Sequence, residues 1–116
     1  MQQNLHHLTI LETWRKMSLV EQMANIGSEV ERAMNWKEKN NQKFSEKAFF
    51  RALELFDLTL SCFTNSQKYT LATKTEVARS KELFADFFWA DNQYNSTRES
   101  WQKYFKQFNY LARKNI

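Results

Sequence analysis

Hydrophobic residues recur at spacings of three and four along most of this chain, which is the pattern of amphipathic α-helices. The clearest stretch begins with Leu19, Met23, Ile26 and Val30. After a polar break the apolar arc becomes wider, as expected of a central and mostly buried helix. The pattern predicts four helices joined by short polar links, at about 19–38, 44–63 and 67–89, with a fourth that opens after the loop 91–97.

Two capping boxes support these boundaries. Ser18 is followed three residues later by Glu21, and Ser96 by Glu99, a spacing that satisfies free backbone N–H groups at a helix start. Residues 1–17 have no sustained period, so we predict an N-terminal tail or a short docking segment there. Residues 18–116 are then one helical domain.

The composition points to the same fold class. The chain has no proline and only one glycine, Gly27, and these are the residues that normally punctuate sheets, hairpins and long loops. Hydrophobic residues make up 42% of the 116 positions, which is enough for the core of one domain. We therefore expect an all-α protein, an up-and-down four-helix bundle with a short N-terminal tail.

The positive charge is concentrated in the last segment. Lys and Arg balance Asp and Glu at 12 each through Asp91, whereas residues 92–116 have five basic residues and only Glu99 as an acid, so the net charge of +4 lies there. Basic residues at helical spacing can follow a phosphate backbone. A solvated face that complements the helix dipole is the alternative interpretation. The candidate nucleic-acid-binding residues are Arg98, Lys103, Lys106, Arg113 and Lys114.

Several aromatic residues lie off the predicted apolar stripes and are candidates for a protein interface. A small bundle has limited room for four Trp, four Tyr and ten Phe, so we expect some of them to face a partner. Tyr94 lies in the predicted loop 91–97, where it could stack on a base or a peptide beside Trp89 and Trp101, or fold over the end of the bundle. The interface candidates are Trp14, Trp36, Phe50, Trp89, Tyr94 and Tyr110.

Two charged residues interrupt the apolar stripes. On a helical wheel Arg51 falls between Leu58 and Leu55, and Glu76 falls beside Leu83. Because a buried charge must be paired, we predict a structural ion pair between Arg51 and Glu76. A polar pocket or a subunit interface is the alternative.

Catalytic and metal constellations are not apparent. The two histidines, His6 and His7, are adjacent and so point in different directions, and Cys62 lies on an apolar stripe. We expect no enzyme activity, no metal site and no cofactor. The start of the chain lacks the features of a secretory signal and no apolar run could span a bilayer, so we expect a cytoplasmic protein with no membrane contact.

Two short runs resemble a small prokaryotic four-helix-bundle family, the accessory variability proteins of diversity-generating retroelements. The runs are Ala24–Arg32 (ANIGSEVER) and Phe49–Leu53 (FFRAL). The resemblance implies a helical protomer that assembles into a ring and contacts nucleic acid and a reverse transcriptase as a non-catalytic partner. The matched positions are Asn25, Arg32 and Arg51, with roles in packing, assembly or binding.

The sequence thus leads to two functional hypotheses. The first is a non-enzymatic accessory protein that self-associates as a homo-oligomer and contacts RNA, DNA or a nucleoprotein through the basic helix face. The second is a protein-only interaction subunit, antitoxin-like or associated with a nucleotidyltransferase, that binds through exposed aromatic residues. Salt separates them, because phosphate binding weakens steeply with ionic strength and an aromatic interface does not.

Overall fold

The computed structural model describes residues 10–63 and 71–114, and within these ranges the chain is helical with no strand. The all-α prediction is confirmed. The described residues form five helices, one more than predicted, because part of the N-terminal segment is also helical. They are α1 (10–16), α2 (Leu19–Glu38), α3 (Gln42–Cys62), α4 (Leu71–Phe88) and α5 (Arg98–Lys114).

Local capping explains where the helices begin. The Ser18 side chain accepts a hydrogen bond from the Glu21 backbone N–H at 3.1 Å, so Ser18 is confirmed as the N-cap of α2, and its hydroxyl also lies 3.2 Å from the Glu21 carboxylate. The second prediction is wrong by one residue. Thr97 and Ser100 form the reciprocal pair, with backbone-to-side-chain distances of 2.9 and 3.0 Å, because Ser96 is held instead by the Asn92 side chain.

The long helices run antiparallel to their neighbours. A three-residue link, with Asn40 at φ 58°, turns α2 back into α3. At the other side of α2, Arg98 at the start of α5 reaches Glu31, whereas Phe105 lies against Gly27, so α5 also runs antiparallel to α2. α4 lies against α3, and its Phe84 ring contacts Trp101 of α5 at 5.6 Å between centroids.

Large aromatic and aliphatic side chains fill the space between these helices. Phe56 of α3 and Phe84 of α4 are completely buried, as are Ile26 of α2 and Thr59 of α3. Phe49 stacks on Phe88 with 4.8 Å between ring centroids and an interplanar angle of 8°. The apolar stripes expected from the sequence therefore form the core, except that Phe44 near the start of α3 and Leu111 near the end of α5 are exposed.

Helix α1 packs on the same core. Trp14 is only 5% exposed, and its indole Nε1–H donates to the Thr59 hydroxyl at 2.9 Å. The Gln22 side chain donates to the Trp14 carbonyl at 2.7 Å, which joins α1 to α2. Trp14 is thus a core residue, and its assignment as an interface aromatic is wrong.

Some sequence expectations fall on residues outside the described ranges. These are the break at 64–66, the start of the third predicted helix at Gln67, Tyr69, and the adjacent His6 and His7. Within the described part of the chain, no helix has the length and apolar character needed to span a membrane.

Candidate nucleic-acid interface

The last helix, α5, has one apolar face and one basic face. Trp101 and Phe105 are buried in the core, and Tyr104 and Phe108 pack beside them. All four basic residues on the opposite side are exposed, and none forms an ion pair within the described residues. We call them, with Tyr110, the basic face: Lys103, Lys106, Tyr110, Arg113 and Lys114.

Tyr110 belongs to this face by its spacing. It lies four residues after Lys106 and four before Lys114, so the three side chains follow one line on the helix. Its side chain is 65% exposed. The sequence pattern predicts Tyr110 to be one of the interface aromatics. Its spacing of four residues from Lys106 and from Lys114 is the signal that places it on the basic face.

Close contact with α2 sets the orientation of α5. A Cβ atom placed on Gly27 would lie 2.8 Å from Phe105 Cγ and 2.9 Å from Phe105 Cβ. The missing side chain at Gly27 therefore allows Phe105 to approach the α2 backbone. This contact turns the lysines and arginines of α5 away from the core.

A part-buried hydroxyl pair holds α5 on its other side. The Ser80 hydroxyl of α4 lies 2.9 Å from both the Tyr104 hydroxyl and the Glu76 carbonyl, and donates its single hydrogen to one of them at a time. Burial raises the pKa of Tyr104 above its ordinary value of 10.0; the bond to Ser80 opposes this and the Glu76 charge adds to it. The phenol is therefore held in its neutral form, fit for packing.

Arg98 does not belong to the basic face. Its guanidinium donates to Glu31 at 2.8 Å and to the Asn35 side chain, and lies 3.1 Å from a Glu38 carboxylate oxygen. Two carboxylates on α2 thus neutralise the charge, and the group is half-buried. Arg98 is a structural residue that ties the start of α5 to α2, which corrects its assignment as a nucleic-acid contact.

The topology decides which other basic residues lie near the basic face. Since α5 runs antiparallel to α2, its last turn lies at the end of the molecule where α2 begins. The exposed Arg15 and Lys16 immediately precede that point in the chain, but Arg15 borders a depression with Glu54 and Asp57 of α3 and so does not extend the basic face. Lys37 and Lys39 lie at the opposite end of α2, where they cover the rings of Phe88 and Trp36.

The remaining candidate aromatics do not form a single surface. Trp36 is half-buried against Phe44, with 4.9 Å between ring centroids. Trp101 is buried, so the expected cluster of Tyr94 with two tryptophans is not a surface feature. The side chains of Phe50 and Trp89 are both more than half exposed, and their ring centroids lie 5.5 Å apart.

The loop that carries Tyr94 is held by Asp86, an acidic residue near the end of α4. Asp86 accepts hydrogen bonds from the backbone N–H groups of Gln93 and Tyr94 at 3.0 and 3.3 Å. Asn92 and Asn95 adopt φ values of 52° and 55°, as short polar side chains allow. Tyr94 itself is exposed, at 61%.

The predicted ion pair between Arg51 and Glu76 is wrong. Both residues are exposed, and Arg51 lies 3.6 Å from Glu54 on its own helix. Each lies at the rim of its apolar stripe rather than at its centre, so a long side chain can extend to water. Neither charge needs a partner across the core.

Comparison of the chain with protein-family profiles, curated proteins and solved structures found no match. Within residues 10–63 and 71–114, no three His, Cys, Asp or Glu side chains are grouped so that they could hold a metal ion.

Proposed function

We propose that this protein is a non-enzymatic accessory protein that binds the phosphate backbone of RNA or DNA through the basic face of α5. In this proposal the four long helices form an up-and-down bundle that acts as a rigid scaffold. The observation that carries the proposal is the set of four exposed cations, without ion-pair partners among the described residues, on one side of one helix.

Geometry and charge both support this role. The stretch from Lys103 to Lys114 is about 16 Å long, since an α-helix rises about 1.5 Å per residue. These four exposed cations can each displace a condensed counterion from a phosphate backbone, which is the main source of sequence-independent affinity. Tyr110 adds an exposed ring on which an unpaired base can stack. A nucleoprotein such as a reverse transcriptase complex offers the same phosphate chemistry.

The test is a titration of labelled structured RNA and duplex DNA, followed by fluorescence anisotropy at about 50 and 200 mM salt. With about four phosphates neutralised, duplex affinity should fall roughly 100-fold between the two salt concentrations. Changing Lys103, Lys106, Arg113 and Lys114 to Gln should abolish binding at the higher salt.

A charge-matched control makes the titration specific. Lys37, Lys39, Arg51 and Arg79 are exposed and lie outside α5, so changing these four to Gln removes the same total charge. This control should bind like the wild type. Equal loss in both variants, or no binding at 50 mM salt, would overturn the proposal and favour a protein partner.

A further inference from the structure

A second exposed feature lies on α3, away from the basic face. Lys43, Lys47, Phe50, Glu54 and Asp57 follow one another at spacings of four, three, four and three, so they form one stripe along the helix. All five are exposed. We call these five residues the α3 stripe. It is about 21 Å long.

The order of charges along the α3 stripe is self-complementary. It begins with two lysines, has an aromatic ring at its centre and ends with two carboxylates. When two copies lie antiparallel and cross at Phe50, Lys47 of each faces Glu54 of the other. Lys43 likewise faces Asp57. A parallel arrangement would place like charges opposite each other, which destabilises a helix pair.

The centre of the α3 stripe is a rigid apolar ridge. Phe50 is 53% exposed and Trp89 is 57% exposed. Both rings rest on the buried Phe49, at centroid distances of 5.3 and 5.4 Å. Because Phe49 fixes them from below, little side-chain entropy is lost when a partner covers them.

Two shallow depressions flank this ridge. Lys43, Lys47, Arg51 and Glu54 are among the residues that line one of them, and Leu11, Arg15, Leu53 and Asp57 are among those that line the other, while Phe50 borders both. In a two-fold contact the ridge of one copy can enter a depression of the other, and the reverse contact follows by symmetry. The depressions therefore add room for a second copy to the charge order of an isologous interface.

The intramolecular ion pairs of the α3 stripe leave room for this contact. Glu54 lies 3.6 Å from Arg51, and Asp57 pairs with Lys81 of α4. Both carboxylates remain about half exposed or more. A carboxylate has about four acceptor sites, so each can bind a lysine of a second copy as well.

We infer that the α3 stripe is a homodimer interface, in which two copies of this chain pair antiparallel through α3 around Phe50. This inference does not rest on the proposed nucleic-acid binding, because the α3 stripe and the basic face have no residue in common. It assigns the occupant of the exposed aromatic pair as a second copy of the same surface.

Charge reversal tests the inference by sedimentation velocity across a concentration series. The wild type should shift from 14.0 kDa towards about twice that mass as concentration rises. Lys47→Glu and Glu54→Lys should each weaken the dimer by at least about tenfold, since each creates two symmetry-related like-charge contacts. The double variant, with both changes in one chain, should restore the wild-type dissociation constant within about threefold.

Controls separate this interface from a general charge effect. Arg79→Glu, an exposed reversal on α4, should leave the dissociation constant unchanged, and circular dichroism should show that every variant is helical. A wild type that stays monomeric up to about 1 mM would overturn the inference and assign the face to a different protein. The inference would also be overturned if neither single reversal changed the dissociation constant of the dimer, or if the double variant failed to restore the wild-type value.

Discussion

At the scale of single residues, the close packing of α5 against α2 depends on one missing side chain. Gly27 is in the middle of α2, where a glycine costs about 1 kcal/mol relative to alanine. This loss is offset by packing, because Phe105 occupies the space that a Cβ atom at position 27 would take. One of the contacting atoms is Phe105 Cβ, whose position is fixed by the backbone, so a change of rotamer alone cannot remove the contact. Relief therefore requires a shift of α5 itself.

We expect Gly27→Ala to lower the free energy of unfolding by about 1–3 kcal/mol, since overpacking outweighs the gain in helix propensity. Urea denaturation followed by circular dichroism measures the change. Ser28→Ala, at the next and exposed position, should change stability by less than about 0.5 kcal/mol. An increase in stability for Gly27→Ala would show that α5 is not held against α2 at this point.

A second residue-scale prediction concerns Tyr104. Its folded-state pKa is raised by burial, so ionisation is easier in the unfolded chain and favours unfolding at high pH. The stabilising contribution is complete below pH 10 and is lost as the pH rises through the folded-state pKa. Tyr104→Phe should therefore lose less stability than the wild type between about pH 9 and 11. Parallel losses in the two proteins would contradict this account.

At the scale of helices, periodicity predicted what local sequence determines. Helix α2 begins and ends at the expected residues because Ser18 and Glu21 specify its start and a long apolar stripe specifies its face. The short α1 was predicted only as a tail or docking segment, because seven residues have too few turns to show a period. Its place in the fold depends on tertiary contacts of Trp14, which a local pattern does not contain.

We therefore expect Trp14→Ala to cost about 3–5 kcal/mol of stability, because it removes a buried ring and leaves the Thr59 hydroxyl without its donor. Thermal and urea denaturation measure this cost. Lys16→Ala, an exposed change on the same helix, should be nearly neutral. A cost below about 1 kcal/mol for Trp14→Ala would show that α1 does not contribute to the core.

At the scale of the whole molecule, the sequence predicts where the positive charge is concentrated but not which charged residues form ion pairs. The excess of basic residues after Asp91 correctly indicated an exposed basic surface on α5. Arg98 was included in it because no local signal shows that Glu31 and Glu38 on α2 lie opposite. The pair between Arg51 and Glu76 was predicted because both residues were expected to be buried. A helical wheel cannot distinguish the exposed rim of an apolar stripe from its buried centre. Partners that are distant in sequence are set by the packing of helices.

The most direct test of the central claim is the salt dependence of duplex DNA binding for two single variants, Lys106→Gln and Arg98→Gln. Lys106 has no ion-pair partner among residues 10–63 and 71–114, so its loss should reduce the slope of log Kobs against log salt concentration by about 0.9. Arg98 is neutralised by Glu31 and Glu38, so its loss should lower stability and leave that slope unchanged. Equal slopes for Lys106→Gln and the wild type, or a larger change for Arg98→Gln, would contradict the assignment of nucleic-acid binding to the basic face.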